Sequence, residues 1–308
     1  MTMEKQRSLR QYLGLVGAGF AIGAANVIPG VSGGTMAFVL GIYEELILAI
    51  GRVSDLGFVK TLLRLQLRKA LNGLPWRLLL AVGVGVLLAV VSLAPVLERS
   101  FESRPVLVWG FFFGLVLASI PMVFRHLERP RSAGTLTSVA LGAVTTFAFV
   151  GLVPVTTPEA PWFIALSGAI AISGMILPGV SGAFILVLLG KYRYILAAVN
   201  DRDVTVLLFF GIGIAAGLVG FVRFLSWLLE HHREVTIAAL VGMMAGSLRK
   251  VWPWKEVLET TVDRHGGLLP IVESNILPSW NGETAVAVGL ALLGLLLVWV
   301  LERASKRL

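Results

Sequence analysis

The stretch Ile28-Pro29-Gly30-Val31-Ser32-Gly33-Gly34 recurs as Leu177-Pro178-Gly179-Val180-Ser181-Gly182-Ala183, with 149 positions between Ser32 and Ser181. The likeness runs outward from both copies. Gly41 and Gly190 follow eleven positions after the first glycine of each, and Tyr43 and Tyr192 come two positions later. Further on the separation drops to 128, where Val82-Gly83-Val84-Gly85-Val86 matches Phe210-Gly211-Ile212-Gly213-Ile214 and Gly114 with Ser119 matches Gly242 with Ser247. The difference of 21 residues falls in the polar, basic stretch from Gly51 to Trp76. The chain is therefore an internal duplication.

Composition says what surrounds it. Of the 308 residues 56% are apolar and 14% charged, with a mean hydropathy of +0.86. A chain this apolar belongs in a bilayer. Its 34 glycines and 13 prolines suit membrane helices, whose neighbours satisfy the backbone groups that Gly and Pro disturb. There are no cysteines, so disulfides and thiolate metal sites are excluded. The net charge of +8 comes from basic residues in short segments between apolar runs, a pattern of membrane topology or lipid contact and not of nucleic-acid binding.

Six runs approach the roughly 20 apolar residues that cross a hydrocarbon core: Leu78 to Val96, Val106 to Phe124, Leu136 to Val153, Val206 to Leu229, Val235 to Leu248 and Thr284 to Leu301. Two more, Leu13 to Ile50 and Trp162 to Val199, are split by the repeated motif into arms of about 16 residues, short for a full span. Each reads as a helical hairpin, either re-entrant or a pair of short tilted spans; the re-entrant form is the expectation. The expected fold is thus an all-α integral membrane protein. Residues 1–153 form a first repeat (hairpin 13–50, basic linker 51–77, three spans), and residues 154–308 a second (hairpin 162–199, three spans). A hairpin counts as zero or two crossings, so each half crosses an odd number of times. The second half is then inverted relative to the first.

Basic residues orient the chain, because cytoplasmic loops are enriched in Lys and Arg. A cytoplasmic N-terminus places 17 of the 26 basic residues inside, so both termini are expected in the cytosol. The linker from Arg52 to Leu71 spaces Leu56, Val59, Leu62, Leu63 and Leu67 in a helical pattern. It is either an amphipathic helix on the inner leaflet or an ordinary basic loop.

The motif carries its own chemistry. Pro-Gly ends one helix, by removing a donor and by supplying unusual backbone angles. Ser32 and Ser181 then stand as N-caps of the second arms. Beyond them Gly33, Gly34 and Thr35, and their counterparts Gly182, Ala183 and Phe184, begin a helix whose first amides lack intrahelical partners. Small side chains at such an end suit an anion, above all a phosphate. Two such ends in corresponding places of an inverted repeat point to a transport site. The candidate anion site comprises Asn26, Gly30, Ser32, Gly33, Gly34, Thr35, Gly179, Ser181, Gly182 and Ala183. The bland reading of each copy alone is a tight hairpin tip that permits close helix packing.

With Asn26-Val27 before the first motif, Thr35 and Gly41-Ile42-Tyr43-Glu44 after it, Ile176 and Gly190-Lys191-Tyr192 around the second, and Gly246-Ser247-Leu248-Arg249-Lys250-Val251-Trp252-Pro253-Trp254 beyond, the chain resembles the DUF368 family of bacterial membrane proteins over nearly its whole length. The resemblance implies flipping of undecaprenyl phosphate, the recycled carrier lipid of cell-envelope synthesis, from the outer to the inner leaflet of the cytoplasmic membrane. The implied partners are that lipid and the bilayer.

Charged residues near the hairpin bases are the next candidates. Glu44 and Glu45 end one second arm, and Lys191 and Arg193 hold the corresponding place in the other. The basic pair is placed to recruit phosphate and an acid to carry a coupling proton, or all four are interfacial snorkelling residues. Arg223 and Arg249 are cavity candidates of the same standing, and Lys250 ranks with Arg249. Tyr43 and Tyr192 read as interface anchors. An enzyme is not expected, since no His/Asp/Glu cluster has metal spacing; nor is a cofactor. The rival reading is a secondary transporter of a small soluble anion. Proton or sodium coupling and homo-oligomerisation stay open.

Overall fold

The architecture is that of a computed structural model describing residues 7–27, 32–53, 74–125, 127–262 and 268–305. Pro29, Gly30 and Val31 of the first motif lie outside the described residues, and so does nearly all of the basic linker. The first part of the chain forms α1 (Leu9–Val27), α2 (Gly33–Val39), α3 (Tyr43–Val53), α4 (Trp76–Ser103), α5 (Pro105–Phe124) and α6 (Ala133–Phe149). The remainder forms α7 (Pro161–Ile176), α8 (Gly182–Leu188), α9 (Tyr192–Asp201), α10 (Val204–His231), α11 (Arg233–Val251), the strands β1 (Lys255–Val262) and β2 (Leu268–Asn275), and α12 (Gly282–Ser305).

Each of the six expected spans is a helix. Among the described residues α4, α5, α10 and α12 are long and apolar enough to cross a membrane. By contrast α6 is a shorter apolar helix of 17 residues, and α11 carries Arg233, Glu234, Arg249 and Lys250 at its ends. Large apolar side chains face outward on the long helices, such as Leu80, Leu87 and Val91 on α4, Leu208 and Ile212 on α10, and Leu292 and Leu293 on α12. So much outward apolar surface fits a lipid surround.

Two expectations need correction. The chain is not all-α, because β1 and β2 pair as an antiparallel hairpin between α11 and α12. Its strands are rich in β-branched residues, and Gly266-Gly267 lie between them in the sequence. The second arms of the two helical hairpins are also not continuous. Gly41 (φ +69°) and Gly190 (φ +62°) adopt left-handed backbone that ends α2 and α8 after 7 residues each. The closure is the same in both: Ile42 donates to the Ala37 carbonyl and Gly41 to Phe38, as Lys191 does to Leu186 and Gly190 to Val187. That is the Schellman pattern of helix endings. The bend between α8 and α9 is 107°.

Helices pair along small residues. α1 packs on α4, α7 on α10, α5 on α12 and α6 on α11. A Cβ at Gly19 would strike the carbonyl of Val82, and one at Gly85 that of Val16. The positions equivalent by sequence repeat this, with Gly168 against the Phe210 carbonyl and Gly213 against that of Ala165. Gly114 meets Ala291 in α12, while its equivalent Gly242 meets Val139 in α6. Backbones approach closely where neither helix carries a side chain. A core of Ile22, Ala25, Met36 to Val39, Tyr43, Val222, Leu240 and Val241 then forms around α2, burying it completely.

Candidate functional site

Both motifs fold the same way locally. Ser32 caps α2 with φ −105° and ψ 133°, and Ser181 caps α8 with φ −105° and ψ 128°. Ser32 Oγ accepts from the Gly34 amide at 3.1 Å, and Ser181 Oγ accepts from the Phe184 amide at 3.5 Å. Before Ser181, Gly179 turns the chain at φ +82°, pressed against the Met243 carbonyl and Ser247 of α11. These are ordinary N-caps on very short helices.

The two motif regions touch. Ser32 Oγ donates to the Leu177 carbonyl at 2.7 Å, and Thr35 Oγ1 accepts from the Gly179 amide at 3.0 Å. Tyr43 donates its hydroxyl to the Ile176 carbonyl at 3.4 Å while its ring stacks on Phe38 at 3.9 Å. Gly34 lies so close to Ile176 that a Cβ would overlap the carbonyl oxygen. Ser32 and Thr35 are 2% and 1% exposed, so these bonds form away from solvent. Tyr43 is thus a buried link between the motifs and not an interface anchor; sequence gave no signal for it beyond its repeat position. Tyr192, its counterpart, is exposed.

Amide supply at the two tips differs. On α2 the Gly33 amide donates to Asn26 Oδ1 at 2.9 Å, Gly34 to Ser32 Oγ, and Thr35 and Met36 to the Ser32 carbonyl. Its first-turn donors, expected to be accessible, are engaged by the chain itself. On α8 the Ile185 amide reaches the Ser181 carbonyl, while Gly182 and Ala183 have no amide acceptor among the described residues. For Gly182 the cause is in the sequence: Asn26, which accepts from Gly33, has Met175 as its counterpart. The same contrast explains Ala183, which is exposed where Gly34 is buried against the other motif. Gly30 lies outside the described residues.

The charged candidates sit elsewhere. Glu44 holds Arg233 through two bonds of 2.7 and 2.8 Å, and Glu45 pairs with Arg7 at 2.6 Å. These acids tie α3 to the start of α11 and to the segment before α1. Lys191 is 2% exposed and donates to the Thr157 carbonyl at 2.9 Å, with the Tyr194 and Phe163 rings beside its ammonium. Arg193 is exposed on α9. Arg223 lines a cavity of about 300 Å³ with Arg52, Ser226 and Glu230, between α3 and α10. Arg249 donates to the Phe147 carbonyl at 2.9 Å and stacks over the Phe147 ring, fastening the end of α6. None of these is among the residues that join the two motifs.

The profile of a family described as VCA0040-like, undecaprenyl phosphate translocase-like, matches residues 22–269. The chain is 36% identical over 307 residues to a polyprenyl-phosphate transporter of Vibrio cholerae serotype O1, covering 96% of this chain and 98% of the relative. It is 29% identical over 254 residues to a polyprenyl-phosphate transporter of Staphylococcus aureus, covering 76% and 84% respectively. No solved structure matches it. Taken with its long apolar helices, these relatives make it a multi-pass membrane protein. The chain belongs to the VCA0040-like family of undecaprenyl phosphate translocase-like proteins, the DUF368 family whose motifs it carries.

Proposed function

We propose that this protein carries a polyprenyl phosphate across the bacterial cytoplasmic membrane, moving undecaprenyl phosphate from the outer to the inner leaflet with its phosphate held between the two Pro-Gly-Val-Ser-Gly tips. The observation that carries the reading is the direct bonding of the two motifs, Ser32 to Leu177 and Gly179 to Thr35. The start of α2 is bonded to the turn that leads into α8, which brings both helix starts into one region for a single anionic group. In the mechanism, the tips part and the phosphate takes the places of Asn26 Oδ1 and Ser32 Oγ at the amides of Gly33 and Gly34. The amides of Gly182 and Ala183 approach it from the other tip. A phosphate monoester carries about −1.5 to −2 charge, and exchanging protein acceptors for its oxygens avoids stranding any donor. The prenyl tail stays in lipid, against the apolar outer faces of the long helices.

The same reading makes residues 1–153 and 154–308 inverted repeats that alternate in presenting the site, with both termini cytoplasmic. Its support is the equivalence of close contacts, Gly19 and Gly85 with Gly168 and Gly213, and the exchange of third helices, α12 on α5 and α6 on α11. The reaction is translocation and makes or breaks no covalent bond.

The test is leaflet movement of a fluorescent polyprenyl phosphate in liposomes holding purified protein. A Ser32→Leu, Ser181→Leu double variant that elutes as a folded species is expected to lose movement. Undiminished movement by it contradicts the site. Uptake of a soluble anion by wild type, with no lipid movement, replaces the lipid reading with that of a small-anion carrier.

A further inference from the structure

One group of charges lies outside the contact between the motifs. Lys250, in the last turn of α11, and Lys255, the first residue of β1, both donate to the same oxygen of Glu273 in β2, at 3.2 and 3.0 Å. Lys255 pairs with Asn275 in the ladder, so Glu273, two residues away, shares its face. The surroundings are aromatic. The Lys250 ammonium is 4.9 Å from the Phe184 ring centre and the Lys255 ammonium 4.4 Å from that of Trp109. Trp252 and Trp254 pack edge to face at 5.3 Å. The indole N–H of Trp254, next to Lys255, is buried with no acceptor among the described residues.

The charge balance is uneven. One carboxylate stands against two ammonium groups, each with three N–H donors, and Lys255 has a side chain only 7% exposed. Burial pushes the Lys255 ammonium down to about 8, against the attraction of Glu273, with Lys250 adding to the depression. Burial acts to raise the Glu273 carboxyl, but Lys255 and Lys250 outweigh it and hold it below the usual carboxylate range. Two ammonium groups on one carboxylate oxygen, one of them buried at such cost, fit an anion of more than one charge. The position fits too. Phe184, under Lys250, ends the Gly182-Ala183-Phe184 segment, whose first two amides have no acceptor among the described residues, and Ser247, one turn before Lys250, touches Gly179.

The geometry points to a receiving site for a phosphate monoester dianion at Lys250 and Lys255, where the phosphate displaces Glu273 and is handed along α11 to the second tip. The inference rests on the transport reading, which supplies the phosphate. Glu273 is then a place-holder that keeps the lysines paired between substrates, and the β-hairpin exists to carry it. A purely mechanical role, clamping the hairpin to α11, makes a different forecast: each of the three residues would then matter in the same direction.

The experiment titrates detergent-solubilised full-length protein with farnesyl phosphate, with inorganic phosphate as competitor and farnesol as the uncharged control, read by tryptophan fluorescence and calorimetry. The Lys250→Gln, Lys255→Gln variant is expected to raise the farnesyl phosphate Kd about a hundredfold, because two charge-assisted bonds are lost and each costs about tenfold. Glu273→Gln is expected to leave Kd unchanged or lower it, because it removes the competitor. Inorganic phosphate competes if the headgroup alone is recognised; its failure to compete, with farnesyl phosphate bound, assigns recognition to the esterified lipid. A rise of less than about fivefold in the lysine variant overturns the proposal, and so does a loss in Glu273→Gln as large as that in the lysine variant. Failure of the transport reading alone is distinguishable: lysine-dependent binding would persist while wild type moved no lipid phosphate between leaflets.

Discussion

Replacing Gly34 by alanine tests whether the contact between the motifs is needed, with the smallest perturbation that reaches it. Gly34 is buried in the first turn of α2, where a Cβ would overlap the Ile176 carbonyl oxygen and sit 3.2 Å from the Leu177 carbonyl carbon and the Pro178 nitrogen. All three obstacles are backbone atoms, which cannot swing aside as a side chain would. Restoring a separation of about 3.5 Å requires the tips to part by about 1 Å. That movement carries the Ser32 bond to Leu177, now 2.7 Å, and the Gly179 bond to Thr35, now 3.0 Å, to or beyond the limit of useful geometry. Overpacking costs about 1–3 kcal/mol, and stranding the buried Gly179 amide costs a similar amount. Because one displacement causes both, the expected total is about 2–4 kcal/mol. Two controls separate this from a general glycine effect. Gly83 in α4 has nothing within 4 Å of its absent Cβ, so Gly83→Ala should stabilise the helix by about 0.5–1 kcal/mol. Ala183→Gly, at the exposed equivalent of Gly34, should cost no more than about 1 kcal/mol and keep transport. Unfolding in detergent reads stability, and leaflet movement of a fluorescent polyprenyl phosphate reads function. Gly34→Ala is expected to lower both stability and transport, because the tips could no longer return to the closed contact once the phosphate leaves. A Gly34→Ala protein that unfolds and transports like wild type would refute the reasoning.

The remaining predictions concern the charges. The ammonium of Lys255 titrates near 8 in the folded protein and at 10.5 in an ordinary lysine, so between those values the unfolded chain binds the extra proton and stability must rise with pH. Wild type should gain up to about 3 kcal/mol across that window relative to Lys255→Met, which lacks the titration; parallel pH profiles for the two proteins would count against the buried cation. Glu44 is engaged by Arg233 in a partly exposed pair, so Glu44→Gln should cost less than about 1 kcal/mol and leave transport near wild type. Abolished transport with unchanged stability would restore Glu44 as a candidate proton carrier.

Much of the site was legible because it was written twice. The spacing of Ser32 and Ser181, with Pro-Gly before and glycine after, predicted two N-caps, and both adopt nearly the same dihedrals. Gly41 and Gly190 were visible as repeated glycines, but their role in ending α2 and α8 was not. An apolar run reads the same whether its helix continues or breaks, and only the left-handed backbone marks the end. The β-hairpin was not legible because its eight-residue strands, Lys255–Val262 and Leu268–Asn275, show neither the long apolar run of a span nor a strict two-residue alternation. Ala183 stands where the first copy has Gly34 because one tip is buried against the other motif and the other tip is exposed.

Sequence by itself determined the membrane setting, the duplication, the helix breaks and the family, because hydropathy, repeated spacing and Pro-Gly chemistry are properties of local segments. Tertiary structure alone decided that Thr35 bonds Gly179 across 144 positions, that the first-turn amides of α2 are already engaged, and that Lys250 and Lys255 converge on Glu273. Those facts depend on which surfaces pack together. Packing joins residues by distance in space, and a distance between remote segments is set by the whole bundle and not by any stretch within it.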